Sequence, residues 1–530
     1  MVSASISVAR QVLDTVALHG ASTVFGLPGV HNLAFWRAPD RPTPMVVRHE
    51  QAAVYAADGW ARSTGTLGAA VVTTGPGAAN TVAAFGEAAA ASSPVLLVAS
   101  EIPQAQRRRG RLRGVLHESR DQAALFAPLA RATFTPRSPA EVAQVLDQAI
   151  AAALRHPRGP VYLDVPADVL GQQAVPAPRE HGWHEPDPDP GLLDAAAALL
   201  GGKVVIWAGG GAVDAGPSVA ALAEHLGAPV VSTWQGRGCP PTDHPAAVGL
   251  PPHEPEVAAL IGSADVLLAV GGDLDGMNTR NWSMPRPPVL VTVDPVPVPD
   301  PEWSPDAAVT GRIGEALRGL LERVPKRLPW AEADLRGPVL ARLAADPATA
   351  EAVALVEAVQ SARGPDTVLV CDMAVAGYWV GGYAAAPGPR RLAYPVGWGT
   401  LGFGLPAALG PAAAGYPTIA VCGDGGLMMA LGELATLVQQ RLPVVVLVVD
   451  DGGYGMLRYD QEVAGHPRVG VDLVTADFPA LAAAFGLPAV SVDGIADLPD
   501  ALGQAVGPCL VHVTTRLTPP RTTSPRWHED

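Results

Sequence analysis

Apolar residues fall along this chain in short unbroken runs, set between longer stretches rich in small or amphipathic residues. After an opening helix the runs are TVFG (23–26), MVVRHE (45–50), AAVVTT (69–74), PVLLVAS (94–100) and PVYLDVP (160–166). A strand with one face in water alternates apolar and polar positions. Unbroken runs of this length instead predict parallel strands covered by helices on both faces. The pattern returns in KVVIWAG (203–209), PVVSTW (229–234), DVLLAVGG (265–272) and PVLVTVD (288–294). It returns again in TVLVCD (367–372), TIAVC (418–422), PVVVLVV (443–449) and CLVHVTT (509–515). Residues 171–190, rich in Pro, Asp, Glu and Gln, and residues 325–348 read as linkers. The expectation is an α/β chain of three consecutive doubly wound parallel-sheet domains, 1–172, 190–325 and 349–516, followed by a tail, 517–530.

Composition narrows the class. The chain has 530 residues, 48% of them hydrophobic and 16% charged, a length that suits about three domains. A net charge of −15 argues against nucleic acid or an anionic membrane as a main partner. The cysteines (Cys239, Cys371, Cys422, Cys509) show no paired or metal-like spacing, so neither a disulfide framework nor a zinc site is expected. No stretch reaches the roughly 18 apolar residues of a membrane span. The N-terminal segment reads as an amphipathic helix ending at Gly20 rather than a signal peptide. A soluble cytoplasmic enzyme is the expectation.

Candidate chemistry concentrates at 423–455. The run TIAVC delivers Gly423-Asp424-Gly425-Gly426, and Asp450-Asp451-Gly452-Gly453-Tyr454-Gly455 begins 27 residues after Gly423. In a parallel sheet both ends fall on the carboxyl edge, where ligands bind. Two carboxylates there, with glycines that let backbone come close, suit a hard divalent cation bridging to a phosphate. The competing reading is a pair of turns in which Gly and Asp serve backbone geometry alone. Glu50, at the end of a predicted strand, is either a charge that stabilises a helix N-terminus or a proton-transfer group aimed into a crevice. His117 and Glu118, within RLRGVLHESRDQ (111–122), fit an ordinary salt-bridged loop. Gly209-Gly210-Gly211 could cradle a phosphate or serve helix–strand packing.

Taken together, VFGLPG, RHEQAA, TTGPGAAN, GWGTLGFGLPAALG and GDGG with DDGGYG resemble the thiamine-diphosphate-dependent enzymes of the acetolactate synthase, benzoylformate decarboxylase and pyruvate decarboxylase group, over almost the whole chain. The resemblance implies a pyrimidine-binding, a central and a diphosphate-binding domain. It makes Glu50 the partner of a ring nitrogen of the cofactor's aminopyrimidine, where a held proton favours the tautomer that activates the thiazolium carbon. Leu401 becomes the apolar wedge that bends the cofactor, and Gly399 offers its carbonyl to the exocyclic nitrogen. Asp424, Asp451 and the Gly453 carbonyl become ligands of Mg2+. Gly423, Gly425, Gly426 and the turn with Tyr454, Gly455 and Met456 approach the diphosphate.

Several positions depart from the family pattern. Asp450-Asp451 stands where Asn-Asn is usual; the extra carboxylate strengthens cation binding and repels diphosphate. The loop after Asp372 lacks the Gln and His side chains of acetolactate synthases, and GGDLDGMNTRNW (271–282) replaces their flavin-holding stretch, so no FAD is expected. Leu116-His117-Glu118 is similar to a Leu-His-Glu in decarboxylases of a guanidino 2-oxo acid, and Thr73 stands where benzoylformate decarboxylase has a catalytic His. His117 and His31 are thereby candidate proton donors to the reacting carbon. The expected activity is decarboxylation of a 2-oxo acid with transfer of the acyl anion to an aldehyde or ketone acceptor. The alternatives are plain decarboxylation and a silent cofactor-binding paralogue. The resemblance implies a homodimer with Glu50 from one protomer and Asp424 from its partner, and a homotetramer above it.

Overall fold

The computed structural model describes residues 6–37, 44–108, 111–175, 185–298 and 302–523. Residues 1–5 of the N-terminal segment, 176–184 of the first linker and 524–530 of the tail lie outside them. Three parallel sheets form in succession. The first comprises β1 (Val24–Gly26), β2 (Pro44–Val46), β3 (Gly68–Val72), β4 (Val95–Glu101), β5 (Thr133–Phe134) and β6 (Val161–Pro166), in the order β2-β1-β3-β4-β6-β5. The second comprises β7 (Val204–Ala208), β8 (Val230–Ser232), β9 (Val266–Val270), β10 (Val289–Asp294) and β11 (Ala307–Thr310), ordered β11-β10-β9-β7-β8. The third comprises β12 (Val368–Cys371), β13 (Leu392–Ala393), β14 (Thr418–Gly423), β15 (Val444–Asp450), β16 (Ala489–Val492) and β17 (Cys509–Thr514), ordered β13-β12-β14-β15-β17-β16. Their ladders are parallel throughout. Every residue of β3, β4, β6, β7 and β9 is buried, as unbroken apolar runs require when helices cover both faces.

The differences from the sequence reading have local causes. Strands β5, β11, β13 and β16 have no counterpart among the predicted runs. All four are sheet edges of two to four residues, and β16 is largely exposed, so no apolar run marks it. The segment 325–348 is more than a linker. It holds a helix, Arg336–Ala345, that buries only Val339 and Leu343, a stripe too narrow to stand out from its polar neighbours. MVVRHE is not a strand as far as Glu50: β2 stops at Val46 and Glu50 is the first residue of the helix Glu50–Thr64. His49, in extended conformation, caps that helix by accepting from the Gln51 N–H (3.2 Å), and Gly65 closes it in left-handed conformation.

The helix Glu50–Thr64 crosses Gly404–Ala413 of the third domain at backbone distance. A Cβ on Gly59 would overlap the Ala407 carbonyl, and one on Gly410 would overlap the backbone of Ala56 and Trp60. Bare glycines therefore bring the first and third domains into direct helix contact. Among the described residues no helix is long and apolar enough to cross a membrane.

Candidate active site

The strand ends of the third sheet converge on a cleft of about 230 Å³. Asp424 opens the helix Asp424–Met429 directly after β14, and Asp451 follows β15. Both line the cleft, with Gly423, Gly425, Gly426, Gly453, Tyr454, Gly455 and Met456 from the same two turns. Gly399 and Leu401 line its other wall. Leu401 is 38% exposed, an apolar side chain left uncovered at the mouth of a polar site. All the candidate cofactor residues of the third domain thus share one cleft. Glu50 does not line it.

Three helices start at this cleft without a side-chain cap: Asp424–Met429 after Gly423, Gly455–Val463 after Tyr454, and Val375–Tyr383 after Ala374. Uncapped N–H groups and the positive ends of helix dipoles make a receptor for an anion such as a diphosphate. The 373–376 loop, which lacks polar side chains, contributes in this way through its backbone. Asp424 Oδ2 and Asp451 Oδ1 are buried with no hydrogen-bond partner. Burial pushes the Asp451 carboxyl up to about 6, with Asp424 adding to it and Arg458 and Arg516 opposing. Burial and Asp450 likewise raise Asp424. Two carboxylates that crowd each other, each with one buried oxygen left without a hydrogen bond, suit a cation. Among the described residues no cluster of three or more His, Cys, Asp or Glu could hold a metal by side chains alone, so a cation here would need a backbone oxygen as well. The Gly453 carbonyl oxygen is near, 3.4 Å from where a Cβ on Gly425 would stand. Gly452 and Gly453 have φ of +82° and +145°, and a Cβ on Gly453 would overlap the Val471 carbonyl. The residues present therefore fit a divalent cation and a diphosphate.

Two residues that the sequence did not mark out complete this half. Arg458 is 5% exposed; its guanidinium lies 3.6 Å from Asp451 Oδ1 and donates to Asp472 (2.8 Å). It offsets the extra carboxylate that distinguishes this chain. Asp372, wholly buried after β12, accepts from the N–H groups of Met373 (2.8 Å), Gly402 (3.0 Å) and Phe403 (3.2 Å) and fixes the loop behind Leu401. Burial pushes it up to about 6 against those donors. Asp450 turns away from the cleft: its carboxylate accepts from the Gly452 N–H (3.0 Å) and pairs with His512 (3.4 Å).

The remaining candidates gather in the first domain. Glu50, 9% exposed, accepts from the Asn80 amide (3.0 Å). Its Oε1 and the Thr73 methyl both face the bare side of Gly77. Asn80 closes the GPGAAN motif, which was the available signal for it. Thr73 follows β3 and also packs on Gly29, in the turn after β1 that carries His31. The His31 and His117 rings meet edge to face at 5.5 Å. Burial lowers His31, and His117 lowers it further. His31 Nε2, His117 Nδ1 and Thr73 Oγ1 are buried without partners. His117 has φ +66°, a strained conformation for a residue with a side chain. The Glu118 carboxylate closes its loop by accepting from the N–H groups of Arg113 (2.7 Å) and Val115 (3.2 Å). Glu118 therefore shapes the loop that presents His117.

A larger cavity, about 480 Å³, lies where the three domains meet, between the Gly209–Gly211 turn, residues 271–281 and Arg390. Of the candidates, only the Gly209–Gly211 turn lines it; the candidate catalytic, cofactor and metal residues of the first and third domains do not.

The chain matches three family models: the N-terminal TPP binding domain of thiamine pyrophosphate enzymes over residues 6–125, their central domain over 193–320, and their C-terminal TPP binding domain over 372–513. It is 33% identical to "Probable 2-ketoarginine decarboxylase AruI" of Pseudomonas aeruginosa, over 91% of this chain and 89% of that protein. It is 30% identical to the acetolactate synthase large subunit of Parasynechococcus marenigrum (92% and 84%), and 28% identical to the acetolactate synthase isozyme 1 large subunit of Escherichia coli (95% and 93%).

Proposed function

The chain belongs to the thiamine pyrophosphate enzyme family, and from that premise we propose that it decarboxylates a 2-oxo acid and releases the product as an aldehyde, using thiamine diphosphate and Mg2+. Thiamine diphosphate supplies the nucleophilic carbon that adds to the 2-oxo group and the electron sink for the pair released with carbon dioxide. Asp424, Asp451 and the Gly453 carbonyl hold the cation, and the three uncapped helix starts hold the diphosphate. Leu401 would support the cofactor from below, and the Gly399 carbonyl would accept from its exocyclic nitrogen. Glu50 holds a proton at the aminopyrimidine. Because Glu50 is absent from the cleft of its own chain, it works with the cleft of a second copy, which makes a homodimer the functional unit.

The observation that carries the decarboxylase reading is the His31–His117 pair. Two imidazole rings 5.5 Å apart, each with one buried ring nitrogen unpartnered, lie with Thr73 as groups of the type that passes a proton to a reacting carbon. A proton delivered to the reacting carbon ends the reaction at the aldehyde. Transfer of the acyl group to a second carbonyl, which the sequence put first, is the second reading, and the acetolactate synthase relatives favour it. Incubation with a 2-oxo acid panel headed by 2-ketoarginine and pyruvate, with and without an aldehyde acceptor, separates them. Aldehyde equal to the carbon dioxide released supports decarboxylation; 2-hydroxy ketone or 2-hydroxy-3-oxo acid in its place assigns the enzyme to transfer.

A further inference from the structure

The loop that carries Gly399 and Leu401 is held from outside its own domain. Helix Val82–Ala90 of the first domain runs against it. A Cβ on Gly86 would stand 2.6 Å from the Trp398 indole, so the bare glycine seats that ring. One residue on, the fully buried Glu87 accepts from Thr400 Oγ1 (3.0 Å) and faces its N–H (3.4 Å). The two neighbours of Gly399 are thus fixed by consecutive residues of one helix.

Charge explains why the bond to Thr400 forms. The Arg62 guanidinium is shared between two buried carboxylates, donating twice to Asp58 (2.8 and 2.7 Å) and once to Glu87 (3.1 Å). One cation leaves the pair a charge short, and the second Glu87 oxygen takes its donors from Thr400. A hydrogen bond to a buried carboxylate is among the strong ones. Arg62 also donates to the Tyr394 carbonyl (2.9 Å) and lies 5.0 Å over the Phe403 ring, so it touches the segment near both ends.

We propose that Glu87 is a positioning residue, which acts through Thr400 to set where the Gly399 carbonyl and the Leu401 side chain meet the cofactor. The inference rests on the cofactor roles given to Gly399 and Leu401 above. Thr400→Val removes the O–H donor and keeps the shape, Thr400→Ser restores it, and Glu87→Ala removes the acceptor. Amide hydrogen exchange across 398–403 in cofactor-free protein should rise in Thr400→Val and Glu87→Ala. Calorimetric affinity for thiamine diphosphate with Mg2+ should stay within about threefold, while deuterium exchange at the thiazolium carbon of bound cofactor falls about ten- to a hundredfold. Thr400→Ser should recover wild-type behaviour in all three. Wild-type carbon exchange in Thr400→Val, or a loss of affinity in step with the loss of exchange, would overturn the proposal. If Glu87→Ala does not fold, the Thr400 pair decides. A wild-type protein that binds no thiamine diphosphate would sink the functional reading instead, and the amide exchange would then decide on the brace alone.

Discussion

The first and third sheets share one strand order, so their carboxyl edges can be compared end for end: β1 with β12, β2 with β13, β3 with β14, β4 with β15. In the third domain β14 leads into Asp424 and β15 into Asp451, with glycines between them and uncapped helices beyond. In the first, β3 leads into Thr73, β1 into the His31 turn and β2 towards Glu50. One edge presents backbone N–H groups and two crowded carboxylates, which suit an anion and a cation. The other presents imidazoles, a hydroxyl and a carboxyl, residue types used in proton transfer. On the proposed function the same topology yields a binding half and a proton-handling half, and the difference lies in which side chains follow the strands.

If that division is right, removing one group from each half should fail in opposite ways. Asp424→Ala should lose cofactor retention and, with it, turnover by about a thousandfold or more; calorimetry with thiamine diphosphate and Mg2+ checks the first loss. Glu50→Gln should keep nearly wild-type affinity and lose about a hundred- to ten-thousandfold in deuterium exchange at the thiazolium carbon. Equal loss of affinity in both variants would erase the distinction between the halves.

The two halves also differ in how far they could be read in advance. Asp424, Asp451 and the glycines around them announce themselves because metal and phosphate chemistry demands those residue types within a few positions of a strand end. The three sheets follow from apolar runs, except for the short edge strands β5, β11, β13 and β16. Asn80 and Asp372 are set by who packs against whom, which no local pattern records, and Arg458 reaches Asp451 from a polar helix face like many others. Glu50 was placed on a strand because MVV reads as one. The extended His49 that caps the following helix is visible only once the backbone is folded.

A smaller effect separates the chain's own departure from the family pattern. Asp451→Asn restores the usual residue and removes a charge that Arg458 now offsets. Mg2+ affinity measured without diphosphate should weaken by about tenfold, as one fewer anionic ligand implies. With thiamine diphosphate present the gap should narrow, because the lost carboxylate no longer repels the phosphates. An equal loss in both titrations would mean that Asp451 acts without reference to the diphosphate. Arg458→Met should cost less in the Asp451→Asn background than in wild type, the mark of coupled charges.

The smallest expected effect concerns two buried carboxylates of the first domain. β4 ends in Glu101 and β6 carries Asp164, both 1% exposed, with no hydrogen bond to Glu101 Oε2 or Asp164 Oδ1 and Arg107 3.9 Å from Glu101 Oε2. Where the third domain opens its carboxylates to a cleft, the first buries them, and burial pushes Asp164 from 3.8 up to about 7, with Glu101 adding to it. Between those values the folded protein keeps a proton that the unfolded chain releases, so stability falls as pH rises through the window and levels off above it. At about 1.4 kcal/mol per pKa unit, the loss between pH 5 and pH 8 is on the order of 3 kcal/mol. Asp164→Asn cannot ionise and should therefore lose less stability than wild type over the same range, read from thermal midpoints at pH 5, 6, 7 and 8. Parallel curves for the two proteins would show that Asp164 is already ionised in the fold, a buried charge that the first domain tolerates.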